Sequence, residues 1–352
     1  MYFVLLIGCL LLNFCVRRPY KKIAYQISYI LLFVFSALRY NFGNDYSSYQ
    51  RYFNEVMMGV QDLEIEEFGF FLFNKIFPSY YLMIAVISGI FLYTLYKLTI
   101  QYLDVEEYKY SLLVFIIDPY SFLMSLSMIR QSLAIELFII GLYFAKNKRY
   151  LLYIFLCIIA MSVHTSAIVL LPVLLIANDK KDFLTNPKWM IPIVVVLFIF
   201  SDTFLTPIIE WALMKFDDPN YYYYYETIET NTIRATILSS VPLIYIVINI
   251  GKLEKEKLMY SKLSLFAYFS DLFAFKYAMV GRIGAYFTFF KLIALPAVFV
   301  YNYHNCKGID RIVNVWIFPS LIIVIYLLRL YAFFTNPMWQ NFTVYRTILE
   351  LW

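Results

Sequence analysis

Very little in this chain suits a water-soluble surface. Only 15% of its 352 residues are charged, against 62% hydrophobic, and the mean hydropathy is +0.69, which excludes an ordinary soluble domain. Cysteine is scarce at four residues: Cys9, Cys15 and Cys157 lie in apolar runs and Cys306 in a short basic loop. That usage shows no metal-type spacing and predicts neither a disulfide nor zinc. The 10 glycines build no phosphate-cradling loop, and no low-complexity linker sets off a soluble domain. The net charge of +5 is spread over loops and predicts no nucleic-acid partner. No positive region or small-residue cleavage site accompanies the first apolar run, so it reads as a retained anchor and not a signal peptide.

What the chain has in quantity is apolar and aromatic side chains, 34 Phe and 34 Tyr among them. Bilayer interfaces accept aromatic rings whose polar edge reaches the headgroups. The reading is an all-α polytopic integral membrane protein forming a single transmembrane domain, 1–352. A crossing helix takes about 20 apolar residues, fewer where the bilayer thins. Twelve spans are expected, at roughly 2–16, 23–38, 80–100, 110–126, 128–145, 150–163, 165–177, 189–207, 233–250, 262–279, 283–303 and 312–334. Asp118-Pro119 is expected to kink the fourth.

Loop charge orients them. Alternate junctions, at 17–22, 97–109, 146–149, 178–188, 252–262 and 304–311, hold 18 of the 29 Lys and Arg residues, which places those loops in the cytoplasm and both termini outside. Residues 150–177 read as two short spans broken at Val163-His164-Thr165-Ser166. Without the break every later loop inverts, and the lysine-rich segment 252–262 falls outside. Two outer loops are long. The first, 39–79, carries an acidic stretch from Asp62 to Glu67 and a short interfacial helix from Glu67 to Phe77, ended by Pro78. The second, 208–232, carries Asp217-Asp218-Pro219-Asn220 and five tyrosines, Tyr221 to Tyr225, read either as an interfacial belt or as a sugar-stacking platform.

A charge at mid-bilayer costs roughly 2.5 to 3.5 kcal/mol even on insertion scales, so Arg130, Gln131 and Glu136, all in one apolar stretch, belong to a polar interior. The topology brings Arg39, Arg130, His164 and Arg282 to the outer side, from distant points in the sequence. Taken singly, each arginine is explained by snorkelling to headgroups. Together, beside helix N-termini, they suit a doubly charged anion such as a diphosphate, held bidentately without a metal. A deeper layer of Asp118, Glu136, Asp271 and Lys291 lies roughly 12 Å below the helix ends. There Lys291 is expected to pair with a carboxylate, Glu136 first, either to fix helix packing or to serve function directly.

Five motifs then stand in order: Arg39-Tyr-Asn-Phe-Gly43-Asn-Asp45-Tyr46-Ser-Ser-Tyr49; Glu67-Phe-Gly69-Phe70; Ser127-Met-Ile-Arg130-Gln131-Ser-Leu-Ala134; His164-Thr-Ser166-Ala167; and Arg282-Ile-Gly-Ala-Tyr286-Phe287. With a closing Tyr345-Arg346-Thr-Ile-Leu, this series resembles the EpsG-like group of Wzy-type polysaccharide polymerases over most of the chain. The resemblance implies a GT-C or O-antigen-ligase-like architecture in the bacterial inner membrane, with the active site facing the periplasm or outside. It further implies an inverting-type glycosyltransferase that joins repeat units from undecaprenyl-diphosphate-linked oligosaccharide donor and acceptor. Neither a metal nor any other cofactor is implied, and a chain-length regulator is a further partner. On this reading Arg130 and Arg282 receive the leaving diphosphate and Arg39 supports one of the two diphosphates. The acceptor hydroxyl is oriented or deprotonated by His164, Asp45 or Glu67, with Gln131, Tyr46, Tyr286, Glu136 and Lys291 in support. Two other classes stay open: a transporter or flippase of lipid-linked oligosaccharide, needing a polar path through both membrane halves, and a membrane acyltransferase acting on surface sugars, needing a donor site reachable from the cytoplasm.

Overall fold

The computed structural model describes residues 1–60, 67–201, 203, 206–207, 232–274 and 278–351. The expected second outer loop, up to its residue 231 and including the five tyrosines, lies outside these residues, as do Asp62, Glu64 and Glu66. The chain divides into two compact units, Met1–Asn178 with Tyr326–Trp352, and Asp179–Ile325.

The chain is an all-α membrane protein. Among the described residues, helices Arg18–Leu38, Tyr80–Tyr102 and Gly308–Thr335 are long and apolar enough to cross a bilayer, and shorter apolar helices include Tyr2–Cys15, Tyr108–Ile117 and Tyr150–Val163. The first unit opens with α1 (Tyr2–Cys15) and α2 (Lys21–Leu38), followed by the two-residue strand β1 (Arg39–Tyr40). Two amphipathic loop helices come next, α3 (Tyr46–Met58) and α4 (Phe68–Ile76). The latter falls where a short helix from Glu67 to Phe77 is expected, and it ends before Pro78. Helix α5 (Tyr80–Tyr102) is started by the Ser79 side chain, which accepts the Leu82 N–H at 3.3 Å and so satisfies one of the amides left over at a helix start.

The expected fourth span is broken at its proline. Helix α6 (Tyr108–Ile117) stops at Asp118, whose carboxylate accepts the Tyr120 N–H and the Ser121 hydroxyl, each at 3.3 Å, and α7 (Phe122–Ser127) restarts the chain. Pro119 lacks the N–H that would continue the ladder, and the residue before it is pushed out of helical geometry. Helices α8 (Ile129–Lys146) and α9 (Tyr150–Val163) then form an antiparallel pair, α8 also packing on α5 and α4 on α9. Extended backbone at His164 ends α9, and a 3-10 helix, Thr165–Leu175, follows where a second short span is expected.

The C-terminal tail completes this unit. Strand β2 (Arg346–Thr347) pairs antiparallel with β1, Arg39 opposite Thr347 and Tyr40 opposite Arg346. The Tyr345 ring stacks on Phe35 with centroids 4.1 Å apart, and its hydroxyl donates to the Phe35 carbonyl at 2.7 Å. The last sequence motif is thereby fastened to the first.

The second unit contains α10 (Pro187–Ile199), α11 (Thr232–Asn249), α12 (Lys255–Ala274), α13 (Ala278–Ala285) and α14 (Lys291–Asn305), and the long helix α15 (Gly308–Thr335) begins in it. The expected eleventh span, 283–303, is not one helix. Its first turn belongs to α13, a 3-10 turn at Thr288–Phe290 intervenes, and Lys291 opens α14.

Candidate functional site

The junction of α4, α8 and α9 gathers three of the expected residues. Glu67 stands at the N-terminal cap of α4, Arg130 in the first turn of α8, and His164 immediately after α9. One carboxylate oxygen of Glu67 pairs with Arg130 Nη1, and the other lies 3.0 Å from His164 Nδ1. A carboxylate only accepts, so Nδ1 is the protonated nitrogen of this contact, which turns Nε2 of the neutral ring into the acceptor. The site is partly open, with side-chain exposure of 34% at Arg130, 23% at His164 and 12% at Glu67.

A positive charge in the first turn of a helix opposes the helix dipole, and Glu67 compensates it. Aromatic faces finish the setting: the Arg130 guanidinium lies 5.3 Å from the Tyr49 ring centroid and 5.7 Å from that of Phe70, distances at which ring quadrupoles attract cations. Arg130 Nε donates to the Tyr49 hydroxyl at 3.4 Å. With Nη1 on Glu67 and Nε on Tyr49, Nη2 has no partner among the described residues. Sequence reasoning missed Tyr49 and Phe70 as members of this site. Both sit inside motifs it singled out, and the signal was an aromatic residue a few positions along a loop helix from a motif charge.

Asp45 lies one helical turn before Tyr49, whose N–H donates to the Asp45 carbonyl at 2.9 Å. It occupies the N-cap position of α3 without a side-chain cap bond; its carboxylate instead accepts the Ser127 hydroxyl at 3.0 Å, and its own N–H donates to that hydroxyl at 3.1 Å. Gly43 brings the loop down onto α7. Its φ of +115° disfavours any side chain, and a Cβ there would meet the Leu126 carbonyl oxygen at 3.2 Å.

Arg39 departs from its expected place beside a diphosphate. It is 2% exposed, Nη1 donates to the Ser36 carbonyl and to Ser88 Oγ at 3.0 Å, and Nη2 donates to the Leu126 carbonyl at 3.3 Å. Those bonds tie α2, α5 and α7 together. Tyr46, fully buried, donates to the Arg39 carbonyl at 3.3 Å and accepts at its own carbonyl from Tyr80 at 2.8 Å. Burial pushes the Tyr46 phenol up from its ordinary value, keeping it a donor. Gln131 is buried on α8 next to Arg130.

The expected pairing of Lys291 with Glu136 is replaced. Lys291 Nζ is 3.1 Å from Asp271 Oδ2 and 4.5 Å from the Tyr268 ring centroid. The physical reason is the break before Lys291: it starts α14, which packs along α12, the helix carrying both Tyr268 and Asp271. Glu136, in the first unit, is 1% exposed, and neither carboxylate oxygen has a hydrogen-bond partner among the described residues. Arg282 is exposed on α13 and Tyr286 is buried just beyond it, both in the second unit. Among the described residues no three His, Cys, Asp or Glu side chains gather into a set that could hold a metal ion.

Comparison with known proteins adds one match. The EpsG family model covers residues 22–347 of the chain. No curated protein and no solved structure matches it.

Proposed function

The chain belongs to the EpsG family, a Wzy-type polymerase-like family, and from that premise we propose a glycosyltransferase that joins undecaprenyl-diphosphate-linked oligosaccharide repeat units at the outer face of the bacterial inner membrane. The observation that carries the reading is the Glu67 carboxylate shared by Arg130 and His164. An acid, a base and a cation held together at a partly open helix junction fit transfer from an anionic leaving group.

In the proposed reaction the acceptor hydroxyl gives its proton to His164 Nε2, and its oxygen forms a bond to the anomeric carbon of the donor. The bond from that carbon to the diphosphate oxygen breaks on the opposite face, and its electron pair leaves with the lipid diphosphate. Glu67 fixes the imidazole orientation and stabilises the imidazolium that forms, as carboxylate partners of catalytic histidines do. Arg130 Nη2 meets the charge that builds on the departing diphosphate. Of the three expected candidates for the base, His164 is preferred, because Asp45 is engaged by Ser127 and Glu67 by the arginine. Arg39 is reassigned from ligand to strut. Arg282, exposed on the second unit, is proposed to bind a substrate diphosphate there.

The test is purified protein in lipid with lipid-linked repeat units, reading a glycan ladder together with released undecaprenyl diphosphate. Both products are expected from the wild type. A verified native substrate that yields neither overturns the proposal.

A further inference from the structure

Two residues beyond Glu67, α4 touches α9 two residues before His164. The touching residues are Gly69 and Ser162. A Cβ built on Gly69 would lie over Ser162 Oγ, 2.9 Å from the Ser162 carbonyl oxygen and 3.0 Å from its carbonyl carbon. Ordinary contacts of a Cβ fall at 3.4 Å and beyond, and the obstructing atoms include backbone of the last turn of α9, so no side-chain rotation relieves the overlap. Ser162 is itself held, its hydroxyl donating to the Ile159 carbonyl at 2.7 Å. On its other side α4 is anchored by Phe70, which is 1% exposed and stacks on Tyr52 with centroids 5.6 Å apart.

We propose that the bare Gly69 to Ser162 contact is a positioning device for the reaction, which sets the spacing of α4 and α9 so that Glu67 reaches His164 and holds its tautomer. The inference rests on the assignment of His164 and Glu67 above, and it adds Gly69 and Ser162, neither of which touches substrate. Its logic is geometric. Each of the two contact residues lies two positions from one member of the 3.0 Å pair between Glu67 and His164. Any gap opened at the contact is therefore transmitted to the pair through only two residues on either side. A methyl at position 69 requires the helices to separate by about 0.5 Å, and catalytic constellations tolerate displacements of about that size before losing function. A misplacement of 1 Å costs about a hundredfold in rate, so about tenfold is expected here.

The chain has only two histidines, His164 and His304, which permits a readout independent of turnover. Selective 15N-histidine labelling in detergent resolves two ring systems, with His304 as the internal control. In wild type the His164 signals should be those of the Nδ1-protonated tautomer. Gly69→Ala should shift them toward a mixture of tautomers, leave His304 unmoved, and lower the polymerisation rate about tenfold. In a His164→Gln background the same substitution should cost almost nothing further, because the group it positions is already absent. Should Gly69→Ala fail to accumulate in the membrane, Ser162→Thr presses a methyl on the same contact from the α9 side and carries the same expectations.

Unmoved His164 signals in either variant overturn the clamp. So does a loss that multiplies fully with His164→Gln, since general damage would do that. The two readings fail separately: a wild type without a ladder defeats the polymerase reading while the ring signals still judge the clamp, and a ladder with unmoved ring signals does the reverse.

Discussion

Arg39 and Arg130 stand at the ends of apolar helices in the same unit, and their guanidinium groups are used in opposite ways. Arg39 closes on two backbone carbonyls and a serine hydroxyl and is sealed from solvent at 2% exposure. Arg130 closes on a carboxylate that also holds a histidine, is backed by two aromatic faces, and keeps one nitrogen uncommitted among the described residues. Carbonyls at helix ends need donors, so the first arrangement organises helices without needing a ligand. The second leaves a cation partly open with an acceptor histidine nearby, which is a place for an anion and a proton to meet. Charge at a helix end is thus structural or chemical according to what it faces.

The sharpest way to break this contrast is to remove each arginine in turn. Arg130→Ala should lower the rate of ladder formation by about 10² to 10³, the range for losing one preorganised donor to developing charge, with membrane abundance unchanged. Wild-type activity in this variant would remove Arg130 from the mechanism. Arg39→Leu should act on the other axis. It leaves two carbonyls and a hydroxyl short of a buried donor, a loss of about 2 to 4 kcal/mol, seen as lower abundance and a lower melting temperature in detergent. The surviving protein should turn over normally per molecule. If Arg39→Leu folds well and loses rate instead, the strut assignment is wrong and the residue contacts substrate after all.

A second comparison sharpens the choice of base. Glu67→Gln keeps the shape of the carboxylate but not its charge, and should cost about ten- to a hundredfold in rate as the histidine loses its charged partner. Asp45→Asn retains an oxygen able to accept from Ser127 and should stay within about threefold of wild type. Steady-state rates with matched protein amounts decide it, and the reverse ranking would move the base role to Asp45.

Much of this was legible from the sequence, for identifiable reasons. Hydropathy located the helices because an apolar run of fixed length has few alternatives in a bilayer. Loop charge favours the interruption at His164, and the kink expected at Asp118-Pro119 is where α6 ends. Loop charge puts Arg130 and His164 on one side, together with Arg39 and Arg282, but that Glu67 bridges the first two is visible only in the structure. What stayed hidden was direction. No pattern in the sequence says that Arg39 turns inward onto carbonyls, because an arginine after a helix end reads the same whether it snorkels or caps. The partner of Lys291 is hidden for a related reason: 283–303 reads as one helix, and the turn that swings Lys291 toward Asp271 leaves no hydropathy signal. The 3-10 form of Thr165–Leu175 was likewise invisible, since its apolar content matches a short α-helix.

The smallest expected effect concerns the tail that braces the Arg39 region. Burial pushes the Tyr345 phenol up to about 12, against the opposing pull of Arg39, so its hydroxyl remains a donor across the working pH range. Tyr345→Phe removes the 2.7 Å bond to the Phe35 carbonyl and keeps the ring stacked at 4.1 Å. One neutral hydrogen bond is worth about 1 kcal/mol, or about 2 °C in melting temperature for a chain of this size. The rate should not change. That expectation is demanding, because Leu126, which accepts from Arg39, precedes Arg130 by only four residues, and Ser127 between them holds Asp45. A rate that fell with Tyr345→Phe at unchanged abundance would show that the strut transmits strain along α7 into the first turn of α8, and the two arginines would then be parts of one device.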